Sequence, residues 1–408
     1  MKLKKVLKIT GLVCLALILT SIPLLGVGCG SSNKVKVGFS ICYSGKAAEK
    51  GRPMGDGKLD CMKYINEELG GVAGYEIEVM WRDNNYDANK ATTIIHELMD
   101  AGCLMFTTNS SAMMTASAEI ANRQGFPGFT VFSAPSLTNP PQHIYAQMPD
   151  YGDDWAAFAN YYLDNIWQGE GKPKMALHLL NNSTGAGARV AAELLADDLG
   201  IELLPIEEHA ADTMSEIDSL TRIKALEPDV LYISSTPQPT SIIIKNAVDL
   251  GMYPGITIGL GHASITSQLI EFAGADIVEG VYGVYPTVNW GDDVPAMEKM
   301  TEYCQKYHPE DYGNMDYITS WAESLIVAEI LRLAIENVGV DNLTPQAVEE
   351  YGFKMLNNFD VGGLHGPVTY TEGDNRLSKS VRVFQITSGE ISPITGWIEA
   401  PQIPYVFD

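Results

Sequence analysis

The chain has 408 residues, 46% of them hydrophobic, with 51 Asp and Glu against 27 Lys and Arg and a formal net charge of -24. That length supports two ordinary domains with their own cores, and the composition excludes collagen, a coiled coil and a disordered acidic tail. An acid excess spread along the whole chain repels phosphates and speaks against nucleic acid as a partner.

Residues Met1 to Gly28 read as an export signal. Lys2, Lys4, Lys5 and Lys8 make a basic start, the apolar run Gly11 to Leu25 follows, and small residues lead into Cys29. The run is short for a membrane span and the polar Gly30-Ser31-Ser32-Asn33 follows at once; an uncleaved anchor helix is the alternative. Leu25-Gly26-Val27-Gly28-Cys29 resembles the lipobox of bacterial lipoproteins, although Gly26 stands where that motif prefers Leu. The resemblance implies a lipid on Cys29 and a membrane-anchored protein outside the cytoplasmic membrane. Cys42, Cys61, Cys103 and Cys304 form no C-x-x-C pair, so zinc and thioredoxin chemistry have no motif here. Cys42 and Cys103 lie in apolar strand-like runs and read as small core residues. A single disulfide among the four remains open.

Strands and helices then alternate. Val35 to Ser40 is β-rich, and Gly57 to Leu69 has helical spacing through Leu59, Met62, Ile65 and Leu69. Glu76 to Trp81 reads as strand, Ala88 to Asp100 as helix, Cys103 to Thr107 as strand, Ala112 to Arg123 as helix and Gly128 to Phe132 as strand. After Met148-Pro149-Asp150-Tyr151-Gly152-Asp153 the pattern restarts. Met175 to Leu180, Ile201 to Pro205, Val230 to Ser234 and Ile256 to Leu260 read as strands. Ala186 to Leu199, Ser215 to Leu226, Thr240 to Leu250 and Ser264 to Ala273 read as the helices between and after them. Beyond Pro286 come helical stretches at Pro295 to Tyr307, Tyr317 to Asn337 and Pro345 to Asn357. The chain ends in β-like segments at Val368 to Tyr370, Val381 to Ile386 and Ile391 to Ile394. Repeated βα units predict an α/β fold with two parallel sheets of similar plan. Ligands of such sheets bind at the carboxyl ends of the strands, so the post-strand loops are the places to look.

Four of those loops are small, polar and hydroxyl-rich: Cys42-Tyr43-Ser44-Gly45, Thr107-Thr108-Asn109-Ser110-Ser111, Ser133-Ala134-Pro135-Ser136-Leu137-Thr138-Asn139-Pro140 and Asn181-Asn182-Ser183-Thr184-Gly185-Ala186-Gly187. Hydroxyls beside the free N–H groups of a helix start suit an anion such as a carboxylate. Ordinary N-capping accounts for any one of these loops alone; convergence of several would mark a site.

In order and spacing these stretches resemble the type I periplasmic binding proteins of the leucine/isoleucine/valine-binding class, the solute receptors of ABC importers. Ser44-Gly45 followed by Gly51 is similar to the family's opening glycine turn, and Ile65-Asn66-Glu67-Glu68-Leu69-Gly70-Gly71 to its helix-to-Gly-Gly step. Thr138-Asn139-Pro140 matches its Thr-Asn-Pro loop, and Asp229 to Ile233 its strand before the second-lobe site. The resemblance implies two Rossmann-like lobes with parallel central sheets joined by a three-crossover hinge. The first would span residues 33–149 plus 287–375 and the second 150–286 plus 376–408. It implies an exported, periplasmic or cell-surface receptor that shuts around a small solute and hands it to a permease and its ATPase, with no cofactor and no metal.

Carried over residue by residue, the family's carboxylate-holding positions fall on Ser110, Ser111, Ser136 and Thr138, and the other end of the solute on Tyr151, Thr184 and His262. The family's second-lobe acid, which pairs with an amino acid's ammonium, aligns with His262 within Gly259-Leu260-Gly261-His262-Ala263. A neutral imidazole offers no fixed negative charge. A small organic acid or amide, aromatic or not, therefore suits the site better than a zwitterion. A capping or surface role for His262 and a hinge-packing role for Tyr151 stand beside the binding roles. Asp83, in Trp81-Arg82-Asp83-Asn84, is either a cleft-loop anchor or part of a solvated turn, and Tyr317 and Trp321 read as core.

Catalytic patterns fail. There is no G-x-S-x-G, His96-Glu97 lacks the second histidine of H-E-x-x-H, and Gly185-Ala186-Gly187 is only a fragment of a dinucleotide fingerprint. Serine-rich loops without a partnering base point to binding rather than acyl transfer. A ligand-sensing module and an exported hydrolase are the alternative functions.

Overall fold

A computed structural model describes residues 33–401 together with 403 and 405. The expected export signal and the lipidation residue Cys29 lie outside the described residues. Among the described residues no helix is long and apolar enough to cross a membrane.

The first sheet is built from β1 (Lys34–Ile41), α1 (Ala48–Glu67), β2 (Glu76–Asp83), α2 (Ala88–Asp100), β3 (Phe106–Thr108), α3 (Ser111–Gln124), β4 (Gly128–Thr130), α4 (Pro135–Thr138) and β5 (Ile144–Ala146). Its five strands run parallel in the order β2-β1-β3-β4-β5. The chain then leaves for α5 (Tyr151–Asn165), β6 (Lys174–Leu180), α6 (Ser183–Leu195), β7 (Glu202–Leu203), β8 (Glu207–His209), α7 (Ile217–Lys224), β9 (Val230–Ser234), α8 (Pro237–Asp249), β10 (Thr257–Leu260), α9 (Ser267–Ala273), α10 (Ala275–Val278) and β11 (Tyr282–Tyr285). It returns as α11 (Met297–Tyr307), α12 (Met315–Val338) and α13 (Pro345–Tyr351), and crosses back as β12 (Ser380–Thr387), β13 (Glu390–Pro393) and β14 (Ile398–Glu399). The second sheet has the order β13-β12-β11-β10-β9-β6-β7, and β12 runs antiparallel to β11. The chain thus passes between the two sheets three times.

Helices cover both faces of each sheet, as strands carrying apolar side chains on both faces require. α1, α11, α12 and α13 share one core with β1, and α2 and α3 share another on the opposite face. Around the second sheet, α5 and α6 pack one face and α7 to α9 the other. Cys42, Cys61, Cys103 and Cys304 are all free and buried, which answers the disulfide question. Tyr317 and Trp321 are core, as expected.

The helical pattern from Gly57 is only the second half of α1. Its first half holds Gly51, Pro53, Gly55 and Gly57, poor helix formers by propensity. Tertiary packing overrides this. A Cβ on Gly51 would lie 1.8 Å from the Cys42 carbonyl oxygen, and one on Gly57 2.5 Å from that of Tyr317. Glycine is what lets α1 press onto the end of β1 and onto α12. Periodicity also misses α5, whose residues Tyr151 to Ala159 are buried on every side, and the four-residue strand β11. Val368 to Tyr370 forms a bridge from Val368 to Phe359 rather than a strand.

Candidate functional site

Register sets where the site lies. Ser40 of β1 pairs with Thr108 of β3, and Thr108 with Thr130 of β4, so the loops after these strands leave the first sheet in one row. Ser234 of β9 pairs with Leu179 of β6, and Ile233 with Leu260 of β10, so the second sheet does the same. The two rows meet around a cavity of ≈ 30 Å³.

The first sheet contributes the start of α3. Ser110 caps it, its hydroxyl accepting from the Met113 N–H at 3.4 Å, and Ser111 is its first residue. Asn109 Oδ1 accepts from the Cys42 N–H and its Nδ2 donates to the Gly51 carbonyl, both at 3.2 Å. This side chain therefore pins the β3–α3 loop to the β1–α1 loop. Asp83 does similar work one strand over. It accepts from the N–H groups of Tyr43, Ser44 and Asn85 and from the Ser44 hydroxyl. Burial pushes its carboxyl up, but these hydrogen bonds outweigh burial and hold it below the usual range. Asp83 is thus an anchor of the cleft loops.

The second sheet and the first crossover contribute Tyr151 at the start of α5, Thr184 in the first turn of α6, Thr236 and Ala263. The rows touch directly. The Ser111 hydroxyl lies 3.0 Å from the Ser183 hydroxyl and 3.1 Å from the Tyr151 hydroxyl, and Asn182 donates to the Tyr86 hydroxyl at 3.0 Å. Burial pushes the Tyr151 phenol up to about 12, so it stays a neutral donor and acceptor. Tyr86 and its neighbour Asn85 both carry positive φ, 53° and 55°. Side-chain-bearing residues adopt that backbone at a cost, and such strain gathers at functional loops.

Of the residues expected at the site, Ser110, Ser111, Tyr151 and Thr184 line the cavity. Ser136 does not; it is exposed on α4. Thr138 does not either; it is buried against a second cavity of ≈ 300 Å³ behind the crossovers, beside Arg376, Lys379 and Tyr405. The short helix α4 turns both side chains away from the cleft. His262 is fully buried behind the cavity wall, neither a capping nor a surface residue. Its ring is stacked between Phe132 at 4.6 Å and Tyr151 at 4.8 Å, and its Nδ1 meets Asp154. Phe132 comes from the first sheet and His262 from the second, so this stack is itself a contact between them.

Lining residues that sequence reasoning missed are Lys50, Met54, Tyr86 and Phe132, while Thr236 belongs to the stretch Ser235-Thr236-Pro237-Gln238, where the resemblance puts one of the family's ligand-packing positions. Phe132 is the last residue of the expected strand Gly128 to Phe132, and Thr236 lies two residues beyond the expected strand Val230 to Ser234, at the strand ends where a site was to be looked for. Lys50 lies in the half of α1 that periodicity did not reach. Its ammonium is buried, pairs with Asp316 at 2.6 Å and sits 5.0 Å from the centre of the Phe132 ring. Among the described residues no carboxylate lines the cavity.

At the crossovers, Arg376 joins Asp153 at 2.8 Å and Asp150 at 3.4 Å, while the Tyr405 hydroxyl donates to Asp150 at 2.9 Å. Burial pushes both carboxyls up and the guanidinium opposes it. The third crossover is thereby tied to the first.

Known proteins fit this geometry. The periplasmic binding protein family model matches residues 34–390. No curated protein sequence matches the chain significantly. Among solved structures, the chain is similar to a branched-chain amino acid ABC transporter protein from Thermus thermophilus with bound valine, with a TM-score of 0.81 at 20% identity over 90% of this chain and 96% of that one. It is similar to a fatty acid ABC transporter substrate-binding protein from Thermomonospora curvata, with a TM-score of 0.79 at 20% identity over 90% and 92%. A leucine binding protein from Thermotoga maritima gives a TM-score of 0.76 at 20% identity over 90% and 99%. At such identities the likeness is one of fold. With two sheets whose central strands are parallel, three crossovers, a cavity where the strand ends meet and a family match across nearly the whole described chain, this protein belongs to the periplasmic binding protein family.

Proposed function

We propose that this chain is the extracytoplasmic solute-binding protein of an ABC importer, capturing a small carboxylate-bearing solute by hinge closure and delivering it unaltered to the permease. The observation that carries this reading is convergence. Helix starts from both sheets (α3 with Ser110 and Ser111, α6 with Thr184) and from the first crossover (α5 with Tyr151) meet on one cavity. Solute that touches both lobes favours the shut state by the difference in its contacts. The lobes are residues 33–149 plus 287–375 and 150–286 plus 376–408, anchored to the membrane through a lipid on Cys29.

The acid end of the solute belongs at Ser110 and Ser111, where the first turn of α3, a helix of 14 residues, presents N–H groups that have no partner within the helix. Ser136 and Thr138 have no part in it. The other end lies against Tyr151, Thr184 and Phe132, with His262 backing the wall. Without a carboxylate in the lining an ammonium has no partner, which favours organic acids over amino acids. The relatives named for valine, leucine and fatty acids support a small solute with a carboxylate.

A thermal-shift screen over amino acids, aromatic acids, short fatty acids and amides, followed by calorimetry, tests this, because ligand that binds only the folded state raises its stability. Several carboxylates are expected to stabilise the protein, and Ser110→Ala to weaken their binding without unfolding it. Tight binding of leucine or valine with no binding of simple carboxylates would overturn the ligand class. Chemical turnover of any compound would overturn the transport reading.

A further inference from the structure

Among the described residues Lys50 is the one cationic side chain in the cavity wall, and its side chain is only 7% exposed. An ammonium has three N–H donors. One goes to Asp316 Oδ1 at 2.6 Å, and among the described residues no other acceptor takes the remaining two. The Phe132 face covers one side at 5.0 Å, which satisfies charge but accepts no conventional hydrogen bond. Asp316 is itself held in place, since the Tyr285 hydroxyl donates to the same oxygen at 2.9 Å. Lys50 is therefore a fixed donor whose unspent N–H groups belong to whatever fills the cavity, and a buried donor left unpaired is costly.

Charge narrows the partner further. Lys50 and Asp316 are together neutral, and the start of α3 offers roughly half a positive charge. That balance suits one carboxylate and leaves no compensation for a second. A neutral oxygen is the acceptor that satisfies Lys50 without adding charge. An ammonium in that place would meet the Lys50 cation, and the Asp316 carboxylate beside it is already paired with Lys50.

Resting on the reading that the start of α3 holds a carboxylate, we infer that the solute is a monocarboxylate bearing a second, neutral oxygen acceptor, an oxo or hydroxy acid, and that Lys50 selects it over the matching plain acid and amino acid. Met54, Phe132, Ala47 and Ala263 provide apolar wall for its carbon skeleton.

Two matched series test this by calorimetry on the purified chain: phenylpyruvate, phenyllactate, phenylpropionate and phenylalanine, and ketoisovalerate, isovalerate and valine. In at least one series the oxo or hydroxy acid is expected to bind at least about tenfold more tightly than the plain acid, and the amino acid most weakly, since a site with an unpaired buried donor rejects analogues lacking its acceptor. Lys50→Met should erase the gap by weakening the oxo acid to the level of the plain acid. Ser111→Ala should weaken both alike. Lys50→Met combined with Asp316→Asn, which leaves no orphaned buried carboxylate, serves if the single variant does not fold. Equal binding of oxo and plain acids, or a gap that survives in Lys50→Met, overturns the role of Lys50 while leaving the carboxylate site standing. Binding of the amino acids alone, or of no carboxylate in either series, overturns the underlying reading and this inference with it.

Discussion

Replacing Glu323 alone should be among the most damaging single changes in the first lobe. Lys58 of α1 and Glu323 of α12 face each other at 2.8 Å with side chains 1% and 0% exposed. Lys58 also donates to the Thr107 hydroxyl at 2.6 Å and lies 4.8 Å from the centre of the Phe39 ring. At an effective dielectric constant near 20, two charges at this separation attract by ~6 kcal/mol, a sum that desolvation of both ions largely cancels. The intact pair is thus close to neutral for stability, whereas an orphaned ammonium keeps its desolvation cost and loses its partner. Glu323→Leu should cost about 3–5 kcal/mol, which at about 2 °C per kcal/mol lowers Tm by ~6–10 °C. Burial already pushes Lys58 down. In the variant its folded pKa should fall further, so the loss is greatest at neutral pH and shrinks as pH rises toward the unfolded value of 10.5. The double variant Lys58→Met, Glu323→Leu should recover to wild-type stability or above it. Urea denaturation followed by circular dichroism, with both singles and the double, measures the cycle. A single Glu323→Leu cost below about 1 kcal/mol, within the range of surface pairs, or a double variant no better than the single, would refute the reasoning.

Gly51→Ala would set a methyl 1.8 Å from the Cys42 carbonyl oxygen. α1 must then shift off β1, with an expected loss of roughly 2–4 kcal/mol in denaturant melts and weaker solute binding, because Lys50 and Met54 move with it. The Asp311 carboxyl is pushed up to about 7 by burial and then by the neighbouring Asp56 charge. A raised acid holds its proton in the folded state, so its contribution is lost as pH rises from about 4 to 7. Asp311→Asn should therefore gain stability over wild type at mildly alkaline pH, with the gain fading toward about pH 4; an equal gain at every pH would sink this. Burial, and then His178, push His209 down to about 3 from 6.5. The unfolded chain binds that proton first, so stability should fall as pH drops through 6.5 toward 3. His209→Gln should flatten that slope in pH-dependent melts.

Much of the candidate site was legible because it is local. Ser110, Ser111 and Thr184 stand where a strand ends and a helix begins, and a hydroxyl beside free N–H groups has the same consequence in any fold. Tyr151 could be found for the same reason, since Asp150 and Asp153 close a capping box that starts α5. Ser136 and Thr138 look alike in sequence, but α4 lasts one turn and points them to solvent and to the crossovers. Lys50 was hidden because propensity argues against a helix through Gly51, Pro53 and Gly55, and only the packing of α1 on β1 and α12 makes it one. The stack of Phe132, His262 and Tyr151 joins residues from different elements of both lobes, and no spacing along the chain encodes such a contact.

The sequence by itself determined the alternation of strands and helices, hence two parallel sheets, and the polar helix starts at their carboxyl ends. Those properties follow from hydrogen-bonding periodicity and capping, which act over a few residues. Tertiary structure alone decided which helix starts share a cavity, that its wall carries a buried ammonium and, among the described residues, no carboxylate, and that His262 lies behind that wall. Burial, pairing and desolvation depend on what stands opposite a side chain in space, and that neighbour comes from a distant part of the chain.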